Sequence, residues 1–162
     1  MRRAFLFAML VQLLLSSSLA VAGELDYSKL PERAQTYIPM LLEQVDEFWP
    51  EMDEPSIFCA LIETETCITL KHRYCWSPTA TLKTSREEGR GLGQITRAWD
   101  SQGRLRFDSL QALRDQHQEA LAGWSWKNVG EALFQLRGIV LMYQDLYATF
   151  EFAETQTDRY CF

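Results

Sequence analysis

The fold class predicted for this chain depends on the stretch VGEALFQLRGIVLMYQDLYATF, residues 129–150. Its apolar residues recur at alternating steps of four and three residues: Val129, Leu133, Leu136, Val140, Tyr143, Tyr147 and Phe150. This period is typical of an amphipathic helix whose apolar stripe packs on a core. A coiled-coil dimer along the same stripe is the alternative.

Similar periods predict four further helices, over residues 33–49, 56–66, about 91–99 and 110–121. Pro39 is expected to kink or shorten the first of them, and Ser56 to cap the second. Residues 71–90 lack a helical period, so they predict a long loop, and such loops often carry function. Within this loop, residues 85–88 match a capping box, which would give Glu88 a structural role. The expected fold is one all-α domain.

The N-terminal residues predict export from the cell. Arg2 and Arg3 precede an apolar run over residues 4–15, and Ala20-Val21-Ala22 follows. This pattern predicts a secretory signal peptide over residues 1–22 and a mature domain over residues 23–162, located in the periplasm or outside the cell. The apolar run is too short to span a bilayer, for which roughly 20 residues are needed, so no stable membrane anchor is expected. An uncleaved N-terminal anchor is the alternative.

The composition favours one ordinary globular domain. The chain has 162 residues, of which 47% are apolar and 23% charged, and these values exclude an intrinsically disordered chain. Its formal net charge of −6 excludes a nucleic-acid binder that relies on neutralising phosphates, so no nucleic acid is expected as a partner.

The four cysteines predict disulfides, because an even number in an exported protein favours them over free thiols. The preferred pairing is Cys67 with Cys75 and Cys59 with Cys161, although four cysteines allow three connectivities. Cys67, His72 and Cys75 could instead be three ligands of a metal. The export signal favours the disulfide, so neither a metal nor a cofactor is predicted.

Glu65 is the strongest candidate for a catalytic residue. At helical spacing it lies on one face with Phe58, Leu61 and Ile62, whereas Glu63 points away from that face. A carboxylate on an apolar face is costly unless it is paired or protonated, and a general acid needs the protonated form. The alternative is a structural ion pair with an arginine; the candidates are Arg86, Arg90 and Arg97.

The second candidate feature is Gly91-Leu92-Gly93-Gln94-Ile95-Thr96. Glycines on both sides of Leu92 allow backbone to approach a ligand closely, and the Gln94 amide offers both a donor and an acceptor. Trp76, in the predicted long loop, is the tryptophan expected to lie near a bound sugar.

Three segments carry a resemblance to the lysozyme-like lytic transglycosylases. Residues 60–66 (ALIETET) resemble the helix that ends in that family's catalytic Glu followed by Ser or Thr. Residues 91–96 are similar to the family's Gly-Leu-Met-Gln motif, with Gly93 in place of Met. Residues 135–146 are similar to its third motif, whose Tyr-Leu falls near Leu141-Met142, close to Tyr143. Together the segments cover most of residues 58–150.

The resemblance implies a lysozyme-like helical domain that cleaves peptidoglycan glycan strands. Glu65 would be the single acid/base at the bond between N-acetylmuramic acid and N-acetylglucosamine, leaving 1,6-anhydro ends. Gly91, Leu92 and Gln94 would bind the sugar. An envelope-spanning complex is an additional expected partner.

Two departures from the family pattern keep other functions open. The interval from Glu65 to Gly91 is longer than in the family, and the chain lacks the family's Tyr-Asn pair. The alternatives are a hydrolytic muramidase, an inactive remnant that binds glycan or a partner, and a helical exported adaptor. Hydrolysis would normally need a second carboxylate. Glu87, Glu88 and Asp100 are the nearby candidates by sequence.

Overall fold

The structure is a computed structural model that describes residues 27–70 and 72–160, with side chains over residues 28–70 and 73–150. The predicted signal peptide, residues 1–22, lies outside the described residues, and so does Cys161. In the described part of the chain, no helix is both long enough and apolar enough to cross a membrane.

Four α-helices and four β-strands make up the described chain. The helices are α1 (Glu32–Phe48), α2 (Ser56–Glu63), α3 (Ser109–Gln116) and α4 (Ala132–Tyr160). The strands are β1 (Thr81–Lys83), β2 (Glu87–Arg90), β3 (Ile95–Trp99) and β4 (Leu105–Asp108). One π-helical turn, Thr64–Ile68, continues α2, and two 3-10 turns lie at Tyr27–Lys29 and His72–Tyr74.

The prediction of an all-α domain is wrong, because the strands form an antiparallel sheet in the order β1-β2-β3-β4. The predicted third helix is instead a turn followed by β3. Gly91 has φ of 76° and Gln94 has φ of 45°, and these left-handed conformations cannot continue a right-handed helix. The residues that follow pair with β2, so Gly89 faces Thr96 across the two strands. The fold is mixed α and β.

The residues predicted to form a capping box lie in the sheet. Glu88 is on β2, where the register places it opposite Arg97 on β3. Opposite charges at directly facing positions stabilise an antiparallel pair. Glu88 therefore has a structural role, as expected, but as a cross-strand ion-pair residue and not as a helix cap.

The first two predicted helices are present with different details. Helix α1 continues through Pro39 to Phe48. The residue before α2 is Pro55, and Ser56 is the first residue of the helix instead of its cap. Its hydroxyl donates to Glu54.

Helix α4 forms the centre of the domain because it supplies side chains to two apolar clusters. Leu136, Ile139 and Val140 are fully buried in the first cluster, against α1 and α2. Leu141, one residue further on, belongs to the second cluster, which includes β3 and α3. Each fully buried aliphatic side chain contributes about 1.5–3 kcal/mol to folding. One rigid helix thus holds both the Glu65 segment and the sheet.

Candidate active site

Glu65 lies in the π-helical turn that follows α2, and its side chain is half-buried. The flanking threonines hold this turn: the Thr64 hydroxyl donates to Ala60, and the Thr66 hydroxyl donates to Ile62. The backbone N–H of Trp76 donates to the Thr66 hydroxyl, which ties the following loop to the turn. Single π turns in helices occur frequently at functional sites.

Tyr143 on α4 is the neighbour of Glu65 that the sequence did not single out as a site residue. Its ring packs perpendicular to that of Phe58, with centroids 5.9 Å apart. Burial raises the pKa of Tyr143, and the nearby negative charge of Glu65 raises it further. The phenol therefore stays neutral beside the carboxylate and is able to donate a hydrogen bond.

Two of the three arginines proposed as ion-pair partners of Glu65 have other roles. Arg90 and Arg97 both bind Glu88, whose side chain is 3% exposed. Chiefly because Arg97 donates a hydrogen bond, and also because Arg90 does, the pKa of Glu88 is held below its usual value. The charge of Glu88 is compensated inside the sheet.

The turn between β2 and β3 contains the predicted sugar-binding residues, and Gln94 closes it. The Gln94 Nε2 donates to the Gly91 carbonyl over 2.8 Å. Its Oε1 is buried without a hydrogen-bond partner in the described residues. A Cβ on Gly89 would lie 2.7 Å from that oxygen. The Gln94 side chain thus folds back over its own turn.

Leu92 and Gly93 attach the turn to the helical core. Leu92 is fully buried in the cluster that also contains Ile62 and Trp76, so this predicted sugar-binding residue is enclosed by protein and not exposed to a ligand. A Cβ on Gly93 would lie 2.6 Å from Cγ1 of Ile139 on α4. The glycine is therefore needed for the close approach of the turn to α4.

Gln135 is a positioning residue that sequence reasoning missed. It is fully buried. Its Oε1 accepts from the Leu92 N–H over 2.7 Å, and its Nε2 donates to the carbonyls of Pro78 and Val129. A Cβ on Gly91 would overlap this amide, so only glycine fits there. The available signal was a polar residue between two apolar ones, Phe134 and Leu136, near the start of α4.

The structure brings the Glu65 segment and the glycine-rich turn to adjacent positions along α4. Ile139 approaches Gly93 closely, and Tyr143 lies one helical turn further on, near enough to Glu65 that the negative charge raises the pKa of the phenol. Leu141 instead points into the second core cluster, whereas Tyr143 packs on the first.

The other two carboxylates suggested by sequence differ in accessibility. Asp100 has its pKa lowered because the backbone N–H and the guanidinium of Arg104 donate to it. It is thus held in the turn between β3 and β4. Glu87 is exposed at the start of β2.

A disulfide joins Cys67 and Cys75, which is the pairing preferred from the sequence. It excludes the alternative in which these sulfurs bind a metal. In the described residues, no group of three or more potential ligands could hold a metal ion. Cys59 is half-buried, and burial raises the pKa of its thiol. Its expected pairing with Cys161 falls outside the described residues.

Trp76 does not lie where the sequence suggested. Its side chain is 2% exposed and packs in the first core cluster, with the backbone at φ of 52°. Since the ring is enclosed by protein, it is unavailable for stacking on a sugar.

Comparisons of the chain with protein-family models, curated proteins and solved structures find no match. Function must therefore be argued from the chemistry of the site. That site combines a half-buried carboxylate, a neutral phenol beside it and a turn held against the same helix.

Proposed function

We propose that the chain is a lytic transglycosylase that cleaves peptidoglycan between N-acetylmuramic acid and N-acetylglucosamine, with Glu65 as its single acid/base. The observation that supports this most directly is the position of Glu65, which is half-buried in the π-helical turn after α2 and near enough to Tyr143 on α4 to raise the pKa of its phenol, while α4 also holds the Gly91–Gln94 turn. These are the segments whose order resembles the transglycosylase motifs.

The reaction needs only one carboxyl group. Protonated Glu65 gives its proton to the glycosidic oxygen as the bond from that oxygen to muramoyl C1 breaks. The resulting carboxylate then takes the proton of the muramoyl C6 hydroxyl while the C6 oxygen bonds to C1. The product is a 1,6-anhydro ring, and Glu65 regains its proton. Tyr143 would hold the Glu65 side chain by donating its phenolic hydrogen to the carboxylate.

The surroundings of Glu88 and Asp100, two of the three carboxylates suggested by the sequence, favour this reaction over hydrolysis. A hydrolase would need a second carboxylate, about 5–5.5 Å away for retention or about 6.5–9.5 Å for inversion. Glu88 is enclosed and neutralised by two arginines, and Asp100 is bound to Arg104. Neither is available as a nucleophile or a base.

We further propose that the protein acts in the periplasm or outside the cell. The Cys67–Cys75 disulfide supports this location, because such bonds persist in oxidising compartments. Peptidoglycan, the proposed substrate, is found in the same place.

The test uses purified sacculi and mass spectrometry of the released fragments. We expect anhydro-ended muropeptides from the unaltered protein and none from Glu65→Gln, which keeps the shape of the side chain but cannot donate the proton. The matched control is Glu63→Gln, since Glu63 is an exposed glutamate two residues away. It should release the same fragments as the unaltered protein.

Two other results would contradict the proposal. Fragments heavier by one water would mean hydrolysis, and therefore a second carboxylate other than Glu88 and Asp100. A folded protein that releases no fragments would refute the enzymatic function.

A further inference from the structure

A groove of about 720 Å³ lies between the middle of α4 and the segment that leads into α2. One wall is formed by Tyr143, Leu146, Tyr147 and Phe150 of α4, and the opposite wall includes Trp49 and Phe58. The Trp49 ring contacts both Phe58 and Tyr147, at centroid distances of 6.2 and 5.6 Å. The walls are therefore apolar and largely aromatic.

The α4 wall continues the apolar stripe of the core into solvent. Leu136 and Val140 are fully buried, but Leu146 is 47% exposed and Phe150 is 69% exposed. Residues 143, 146, 147 and 150 follow helical spacing, so they form one face over about two turns, or about 10 Å. No described segment of the chain covers this face at Phe150.

The other side of the groove has an acidic rim. Glu51, Asp53 and Glu54 line the groove and are exposed. Among the described residues, no lysine or arginine forms a salt bridge with Glu51 or Asp53. Apolar walls bordered by exposed carboxylates are complementary to a ligand that has an apolar face with positive charges beside it.

We propose that this groove binds a helical segment of another protein, apolar on one face and carrying Lys or Arg beside that face. Helices commonly bind in grooves through apolar side chains at positions i, i+3, i+4 and i+7, and the α4 face offers the same spacing. A second copy of this chain fits poorly, because two acidic rims would face each other and each chain has a net charge of −6. This inference does not depend on the proposed catalytic activity.

The test measures binding of two labelled peptides to the purified full chain by fluorescence anisotropy. Both peptides are 18-residue amphipathic helices with the same leucine face, and their polar face carries lysine in one and glutamate in the other. We expect the lysine peptide to bind with a Kd of about 1–50 μM, and the glutamate peptide at least about tenfold more weakly. Added salt should weaken binding of the lysine peptide, because salt screens the attraction between exposed charges.

Variants separate the groove from general attraction to an acidic protein. We expect Phe150→Ala to raise the Kd for the lysine peptide at least about fivefold. Phe107→Ala, a matched control at a 52% exposed position on β4 outside the groove, should leave binding unchanged. Reversing charge at the rim, with Glu51→Lys and Asp53→Lys together, should weaken binding about tenfold. The control pair, Glu43→Lys and Glu119→Lys together, changes the net charge equally at two exposed positions outside the groove and should leave binding unchanged.

The proposal would be overturned by equal weakening from the two charge-reversal pairs, or by equal affinity for the two peptides. Absence of binding by the lysine peptide, with the protein folded by circular dichroism, would overturn it as well. Sedimentation that detects a dimer, lost in Phe150→Ala, would identify a second copy as the occupant and refute the basic partner.

Discussion

Replacing Gln135 by leucine should destabilise the whole domain and loosen the Gly91–Gln94 turn. The amide of Gln135 makes three hydrogen bonds inside the protein, one from the Leu92 N–H and two to the carbonyls of Pro78 and Val129. Leucine has nearly the same volume, so the substitution leaves no large cavity. Its main effect is to leave these three backbone groups without their partner.

The expected magnitude follows from the number and burial of these bonds. A buried hydrogen bond contributes about 0.5–1.5 kcal/mol, and an unsatisfied buried group costs about 1–3 kcal/mol. At about 1–1.5 kcal/mol for each group, where these two ranges overlap, three losses predict a fall of about 3–4 kcal/mol in the free energy of unfolding. With a urea dependence of about 2 kcal/mol per molar, the unfolding midpoint should fall by about 1.5–2 M, as measured by tryptophan fluorescence.

Gln144→Leu is the matched control on the same helix. The Gln144 side chain is half-buried and its Nε2 donates to the Phe48 carbonyl, so we expect a loss of only about 1 kcal/mol. Hydrogen exchange adds a local measurement, because the Leu92 amide should lose protection in Gln135→Leu and keep it in Gln144→Leu. Equal destabilisation by the two variants, or unchanged exchange at Leu92, would refute the role assigned to Gln135.

Two further predictions concern the turn and the sheet. Gly93→Ala should lower the free energy of unfolding in urea by about 1–3 kcal/mol, because its Cβ would meet Ile139. The control Gly130→Ala, whose Cβ has no neighbour closer than 3.7 Å, should lower it by less than about 0.5 kcal/mol. Equal losses would contradict the close approach of the Gly91–Gln94 turn to α4. Glu88→Gln should cost about 2 kcal/mol near neutral pH, because the neutral amide loses the charge-assisted hydrogen bonds from Arg90 and Arg97. Because the pKa of Glu88 is lowered in the folded state, its contribution to stability is complete above about pH 5 and is lost as the pH falls through the folded pKa. The difference in unfolding free energy between the unaltered protein and Glu88→Gln should therefore shrink in acid. A difference that does not change with pH would contradict this reasoning.

Local signals in the sequence were sufficient for most of the helices and for the face of Glu65. The stripe through Leu136 and Val140 predicted α4, because a helix repeats every 3.6 residues and needs no distant partner to show its period. The same period separated half-buried Glu65 from exposed Glu63.

The sheet was missed because its strands are only three to five residues long, too short to show a clear alternation of their own. Apolar Leu92, Ile95 and Trp99 matched a helical spacing, but the positive φ angles at Gly91 and Gln94 prevent that helix. The available signal was the charge pattern, since Glu88 and Arg97 face each other across β2 and β3. A single pair of charges is too weak a pattern to outweigh an apparent helical period.

By itself, the sequence determined most of the helical segments and the apolar face that includes Glu65. Only the tertiary structure decided what surrounds them: Tyr143 beside Glu65, Gln135 bonded to the Leu92 N–H and two arginines around Glu88. The physical reason is that periodicity depends on neighbours within one or two turns. The environment of a carboxylate or a turn depends instead on groups that folding brings in from elsewhere, such as Gln135, which lies 43 residues from Leu92.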